Sequence, residues 1–194
     1  MIRLALLRHG HTAWNRAGRI QGRTDIPLDE DTRQALKNCR LPGMWKDAEL
    51  WSSPLARARE TAALITGQKA QTTPALTEMD WGDWEGQRGH DLRDDPDSGY
   101  RDIEAWGWKY TPPNGESPAC VLNRLIPWIN SLTADTVAVC HIGIMRVLLA
   151  QATGWAFDGP APFQIKRNRL YIIEIAEDGW QWTGEPLRLE KAVP

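Results

Sequence analysis

The chain has four histidines, His9, His11, His90 and His141, and two of them stand in matching surroundings. His9 follows the apolar run Ile2-Arg3-Leu4-Ala5-Leu6-Leu7 inside the tripeptide Arg8-His9-Gly10, and His141 follows Thr136-Val137-Ala138-Val139-Cys140. One such histidine alone reads as an ordinary hydrogen-bonded residue at a strand end. Two of them, with a guanidinium beside one, point to a shared anion site and to phosphoryl transfer. That reaction spreads negative charge over the equatorial oxygens, so positioned cations and N–H donors do most of the work. A neutral imidazole can attack phosphorus and split one hard displacement into two easier ones. Its ordinary pKa of about 6.5 makes the neutral form accessible near neutrality. Activity is therefore expected to fall on acidification as His9 protonates, with His11 and His141 coupled to it.

The elements that must carry these groups can be read from pattern. Both apolar runs lack alternation, as strands buried on both faces do. A strand that stops at a glycine turn before a helix is where open α/β sheets place ligand sites, and the helix start offers unpaired N–H groups to an anion. Parallel strands end on one rim, so His9 and His141 can meet from distant chain positions. The pattern predicts a helix over 29–40, a short strand over 48–51, and a helix capped by Ser53 with Pro54 at its first position, running to about Thr66. Ser117-Pro118 repeats the capping signal, opening a helix kinked near Pro127. A helix over 143–153 and late edge strands over 170–175 and 180–183 complete the chain. Alternating β and α segments predict an α/β fold: one domain over 1–194, a three-layer α/β/α sandwich with a mostly parallel central sheet. Residues at about 83–116, rich in glycine, aspartate, proline and aromatics, are expected to form a small cap insertion built from short elements.

Composition narrows the class. At 194 residues, with 25% charged and 42% hydrophobic residues, the chain is globular and long enough for a substantial core. A net charge of −2 argues against a nucleic-acid binder. Cys39, Cys120 and Cys140 lack metal-site or disulfide spacing, which suggests a reducing, cytoplasmic setting without structural metal. No signal peptide or membrane-spanning run is expected. The 11 tryptophans leave a homodimer open, because exposed indoles serve an interface as readily as a ligand.

Beyond these readings, Arg8-His9-Gly10-His11-Thr12 with Asn15, Ser52-Ser53-Pro54-Leu55-Ala56-Arg57-Ala58, Leu76-Thr77-Glu78 before Trp81-Gly82-Asp83-Trp84-Glu85-Gly86, and Val139-Cys140-His141 with Arg146 occur in one order. Gly18-Arg19-Ile20-Gln21-Gly22 with Asp25-Ile26-Pro27-Leu28 adds a fifth block. The sequence resembles the histidine phosphatase superfamily, the phosphoglycerate-mutase-like family, from residue 2 to about 147. The resemblance implies that His9 becomes phosphohistidine while Arg8, Arg57 and His141 surround the phosphoryl oxygens. Asn15, Gln21, Gly22 and the backbone N–H of Ile142 assist in binding a small phosphorylated substrate. Glu78 donates the proton to the leaving alcohol and then serves as base for water; no metal or other cofactor is implied. On spacing alone Arg59 competes with Arg57, and Asp80, Asp83 and Glu85 compete with Glu78; the family blocks favour Arg57 and Glu78.

Three residues depart from the family pattern: His11 replaces glutamate or glutamine, Ile142 replaces glycine, and Thr32 replaces glycine in the first long helix. His11 is expected to add a titratable group near the pocket rim, and Ile142 to narrow the site. The cap is short and holds no adjacent basic pair, which favours hydrolysis over mutase transfer; its length and Asn114-Gly115-Glu116-Ser117 are similar to small bacterial phosphatases such as the α-ribazole phosphatases. A phosphoglycerate mutase-type phosphotransferase stays open, as does a catalytically silent phospho-ligand sensor. Trp81, Trp84, Tyr100, Trp106, Trp108 and Tyr110 either pack the cap or face a ring-bearing substrate.

Overall fold

The computed structural model describes residues 1–192. The first apolar run forms strand β1 (Ile2–Arg8), and its successive side chains point to opposite faces. Leu4 and Leu6 enter one core with helices α5 (Pro118–Asn130) and α6 (Ile142–Thr153). Ala5 and Leu7 enter another with α2 (Glu30–Lys37) and α3 (Ala56–Thr66). Both faces are covered, which explains an apolar run without alternation.

The remaining strands are β2 (Cys39–Arg40), β3 (Glu49–Ser52), β4 (Gln71–Thr72), β5 (Thr136–Cys140), β6 (Arg169–Ala176), β7 (Gly179–Trp182), β8 (Leu187–Arg188) and β9 (Glu190–Lys191). The main sheet runs β4-β3-β5-β1-β6-β7, with β8 also on β6, while β2 and β9 form a separate ribbon. From β4 to β1 the pairing is parallel; β6 runs against β1. The fold is α/β with a mixed, mostly parallel sheet between two helical layers. Arg8 pairs with Cys140, so β1 and β5 end level and their next residues, His9 and His141, leave the same rim. His9 N–H donates to the Cys140 carbonyl at 2.9 Å and Ser53 N–H to the Val139 carbonyl at 3.0 Å, which carries the alignment past the strand ends.

Several boundaries differ from the sequence expectation. The helix expected over 29–40 stops at Lys37, because Cys39 and Arg40 pair with β9. Ser53 is still tied to β5, so α3 begins at Ala56, and the Ser53 hydroxyl accepts the Leu55 N–H at 3.3 Å instead of capping the helix. The strand over 170–175 is no edge: it lies between β1 and β7. Ser117 does cap α5, accepting the Cys120 N–H at 3.2 Å, and Pro127 sits inside that helix.

The cap segment contains one short helix, α4 (Gly89–Asp94), and 3₁₀ turns at Gly82–Trp84, Pro96–Ser98 and Ile103–Ala105. An aromatic cluster holds it. The Trp84 ring lies 4.9 Å from Tyr100, 6.1 Å from Trp106 and 6.2 Å from Tyr110. Gly82 has φ +53° and packs so tightly that a Cβ would lie 1.9 Å from the Pro113 carbonyl oxygen. Only glycine fits there.

Candidate active site

The His9 and His141 rings meet at the rim with centroids 5.1 Å apart, both buried. Their hydrogen bonds assign opposite tautomers. His9 Nδ1 lies 2.6 Å from the Gly10 carbonyl oxygen, which can only accept, so Nδ1 carries the proton and Nε2 keeps its lone pair. Arg57 Nε donates to His141 Nδ1 at 3.3 Å, so the His141 proton sits on Nε2, a buried donor without an acceptor among the described residues. One ring offers a nucleophile and the other an N–H. Burial holds both imidazoles well below the ordinary histidine pKa; Arg57 and Arg8 add to the effect at His9, and His9 and Arg57 at His141. Both are neutral near pH 7.

The cations are fixed from several elements. Arg57, fully buried on α3, also donates to the Gly22 carbonyl at 2.6 Å and the Thr24 carbonyl at 2.9 Å. Arg59 points outward. Arg8, at the end of β1, has a buried Nε without an acceptor among the described residues, and burial, then Arg167, lowers its pKa to about 9. It stays cationic at neutral pH. Helix α1 (Ala13–Arg16) begins with a capping box: the Thr12 hydroxyl accepts the Asn15 N–H and Asn15 Oδ1 accepts the Thr12 N–H. Asn15 Nδ2 and the Thr12 hydroxyl donate to Gln21 Oε1, each at 3.0 Å, leaving Gln21 Nε2 as another buried donor.

Glu78 is buried and caps α6: Oε2 accepts the Gly143 N–H at 3.1 Å and Oε1 the Met79 N–H at 2.8 Å. These bonds favour the carboxylate, yet burial outweighs them and raises the pKa above the ordinary range. The competing carboxylates have other partners. Asp80 pairs with Arg23, Asp83 accepts from Asn114, and Glu85 accepts the Arg23 and Thr24 N–H groups. Gly22 takes a supporting position, with its carbonyl on Arg57 and a Cβ excluded by Glu85 at 2.6 Å.

A cavity of about 150 Å³ has Arg8, His9, Asn15, Arg19, Gln21 and Glu78 as its polar walls and Ile20, Trp81, Tyr100 and Ile142 as its apolar side; Arg57, His141 and Gly22 are not part of that lining. A groove of about 660 Å³ beside α3 is larger, but Arg59, Glu60 and Lys69 supply its charges and no histidine borders it. Donor chemistry, not size, marks the site. His11 lies outside it, facing a neighbouring cavity of about 290 Å³ with Arg16 and Thr32. Thr32 packs on the nucleophile turn, where its Cγ2 would lie 2.4 Å from a Cβ on Gly10.

Sequence reasoning missed Arg167. Its Nε donates to the His9 carbonyl at 3.2 Å and its Nη2 to Asn15 Oδ1 at 2.8 Å. The usable signal is register: Leu7 faces Leu170 across the antiparallel β1–β6 pair, so two steps further His9 faces Asn168, next to Arg167. That register depends on placing β6 beside β1, which the pattern did not do.

The order of the strands, the paired histidines at their rim and the buried carboxylate define a phosphoryl-transfer class, and the chain belongs to the histidine phosphatase superfamily (branch 1), whose sequence model matches residues 4–185. It is 29% identical over 187 residues to the adenosylcobalamin/alpha-ribazole phosphatase of Escherichia coli (strain K12), covering 90% of each chain. It is 36% identical over 170 residues to the 2,3-bisphosphoglycerate-dependent phosphoglycerate mutase of Bartonella bacilliformis (strain ATCC 35685 / KC583 / Herrer 020/F12,63), covering 78% of this chain and 81% of that one. Among solved structures it is similar to a phosphoglycerate mutase from Thermus thermophilus, with a TM-score of 0.72, 26% identity and coverage of 97% of this chain and all of that one.

Proposed function

We propose that the protein is a phosphomonoesterase working through a phosphohistidine on His9. The observation that carries this reading is the pair of buried neutral imidazoles with complementary tautomers, braced by Arg57. A phosphomonoester dianion enters the cavity and is held by Arg8, the His141 Nε2–H, the Gln21 amide and the Ile142 N–H. The His9 Nε2 lone pair attacks phosphorus. As the P–O bond to the leaving alcohol breaks, protonated Glu78 gives its proton to that oxygen. The Glu78 carboxylate then takes a proton from water, whose oxygen attacks phosphorus, breaks the N–P bond and releases phosphate. A raised Glu78 pKa suits the first half of this cycle, because the group must begin protonated. Side chains and N–H dipoles supply positive charge to the phosphoryl group, and this reading requires no metal.

Trp81 and Tyr100 on the cavity wall favour a small substrate whose leaving group carries a ring. A mutase-type phosphotransfer is the second reading, favoured by the identity to phosphoglycerate mutases. Hydrolysis of p-nitrophenyl phosphate in EDTA, lost by about 10⁴-fold or more in His9→Ala, is the expected result. Full activity in that variant, or no turnover of any phosphomonoester tried, would leave a phospho-ligand sensor as the better account. Phosphate exchange between phosphoglycerates primed with bisphosphoglycerate, faster than hydrolysis, would move the assignment to mutase.

A further inference from the structure

Arg167 is the charged group nearest the nucleophile's backbone that neither the motif blocks nor the proposed cycle uses. It comes from the loop before β6, is half-buried, and has no salt bridge to a carboxylate among the described residues. Its guanidinium instead spans two catalytic elements, donating to the His9 carbonyl at the end of β1 and to the Asn15 side chain on α1. It does not line the cavity that receives the phosphoryl group. Burial of so strong a cation against carbonyl and amide oxygens has a cost that a solvent-facing brace would not carry.

We infer that Arg167 is a positioning residue for phosphoryl transfer: its two-pronged grip locks the His9 backbone to Asn15 and so fixes where the attacking nitrogen stands. This inference rests on the phosphohistidine reading. The geometry supplies the reason. His9 Nδ1 is already tied to the neighbouring Gly10 carbonyl, so ring and backbone move together, and a carbonyl held from outside transmits its position to Nε2. Misplacing a reacting atom by about 1 Å costs about 10²-fold in rate. Asn15 cannot do this alone, since its Oδ1 is shared between the Thr12 N–H and Arg167, and its amide is committed to Gln21. Arg167 also acts through charge. It faces His9 together with Arg8 of β1 and Arg57 of α3, with His141 and Glu78 completing the surroundings, and all three arginines disfavour a protonated His9.

Wild type and His9→Ala are compared first on p-nitrophenyl phosphate, which tests the phosphohistidine reading by itself. Arg167→Met and Arg167→Lys are then measured by rapid-quench trapping of phosphoenzyme, by kcat and KM, by the pH dependence of kcat/KM and by melting temperature. The expected outcome in Arg167→Met is phosphoenzyme formation slowed about 10- to 100-fold with KM changed less than about threefold. Its acid limb should move to higher pH, since a cation facing His9 is gone. Arg167→Lys restores the acid limb but not the rate, because an ammonium keeps the charge and loses the planar fork. Wild-type phosphorylation in Arg167→Met overturns the inference, as does a rate loss that tracks the fall in melting temperature equally in both variants. If the methionine variant does not fold, a wild-type rate in Arg167→Lys overturns it.

Discussion

The strand rim and the cap solve different problems with different materials. At the rim, β1 and β5 are buried on both faces and joined by a parallel ladder, so His9 and His141 inherit positions set by backbone register. In the cap there is no ladder. Short turns are held by aromatic rings in mutual contact and by glycines at positive φ. The rim supplies buried neutral imidazoles and fixed cations, the groups a transition state tolerates least in the wrong place. The cap supplies Trp81 and Tyr100 to the apolar wall of the cavity. The candidate reactive groups stand on paired strands, and the aromatic wall on a segment whose shape depends on side-chain packing.

After the His9→Ala loss, the next largest expected effect sharpens the rim side of this contrast. Glu78→Gln removes the proton donor while keeping shape, and should lower turnover of alkyl phosphates by about 10²- to 10⁴-fold. Measured as phosphoenzyme formation by rapid quench, the loss should be much smaller on p-nitrophenyl phosphate, whose leaving group needs no proton. That step is read alone because the base role of Glu78 in the second half of the cycle is common to both substrates. Equal losses on both substrates would remove Glu78 from acid catalysis.

Next comes the cap. Trp84→Ala opens the centre of the aromatic cluster and should cost about 3 to 5 kcal/mol in urea denaturation, with KM raised more than kcat is lowered. A kcat collapse at unchanged KM would break the division of labour between rim and cap.

The smallest effect concerns acid stability. His9 and His141 have folded pKa values below the ordinary one. The unfolded chain gains protons on them below about pH 6.5 and the native chain does not. Their contribution is complete above that pH and falls as pH drops through it, by up to about 1.4 kcal/mol per histidine per pH unit. Glu78 works the other way: its raised folded value favours the native state in acid, and that benefit is lost as pH rises through it. Urea titrations from pH 7 to pH 5 measure the net slope of these groups and of His11, whose pKa is also lowered by burial, and His141→Gln should make the loss of stability in acid smaller. An unchanged slope in His141→Gln would contradict burial of a neutral imidazole at that position.

How far the chain was legible follows from the range of each signal. The β1 and β5 runs, the Ser117-Pro118 cap and the periodicity of α3 are local patterns, and each appears within a few residues of its expected place. The start of α3 was misplaced because Ser53 answers to a hydrogen bond from β5, a partner 86 positions away. His11, expected near the pocket rim from the family pattern, lines a neighbouring cavity with Gly10, Arg16 and Thr32. Arg167 had no local mark at all.

The sequence by itself determined which residues could attack, donate and neutralise, and that two of them end apolar strands, because residue chemistry and hydrophobic period are written locally. Tertiary structure decided which ring nitrogen holds its proton, which of the carboxylates is desolvated, and that Arg167 in the loop before β6 bonds the His9 carbonyl. Those outcomes depend on partners brought together by strand order and register, and single-chain periodicity carries no record of either.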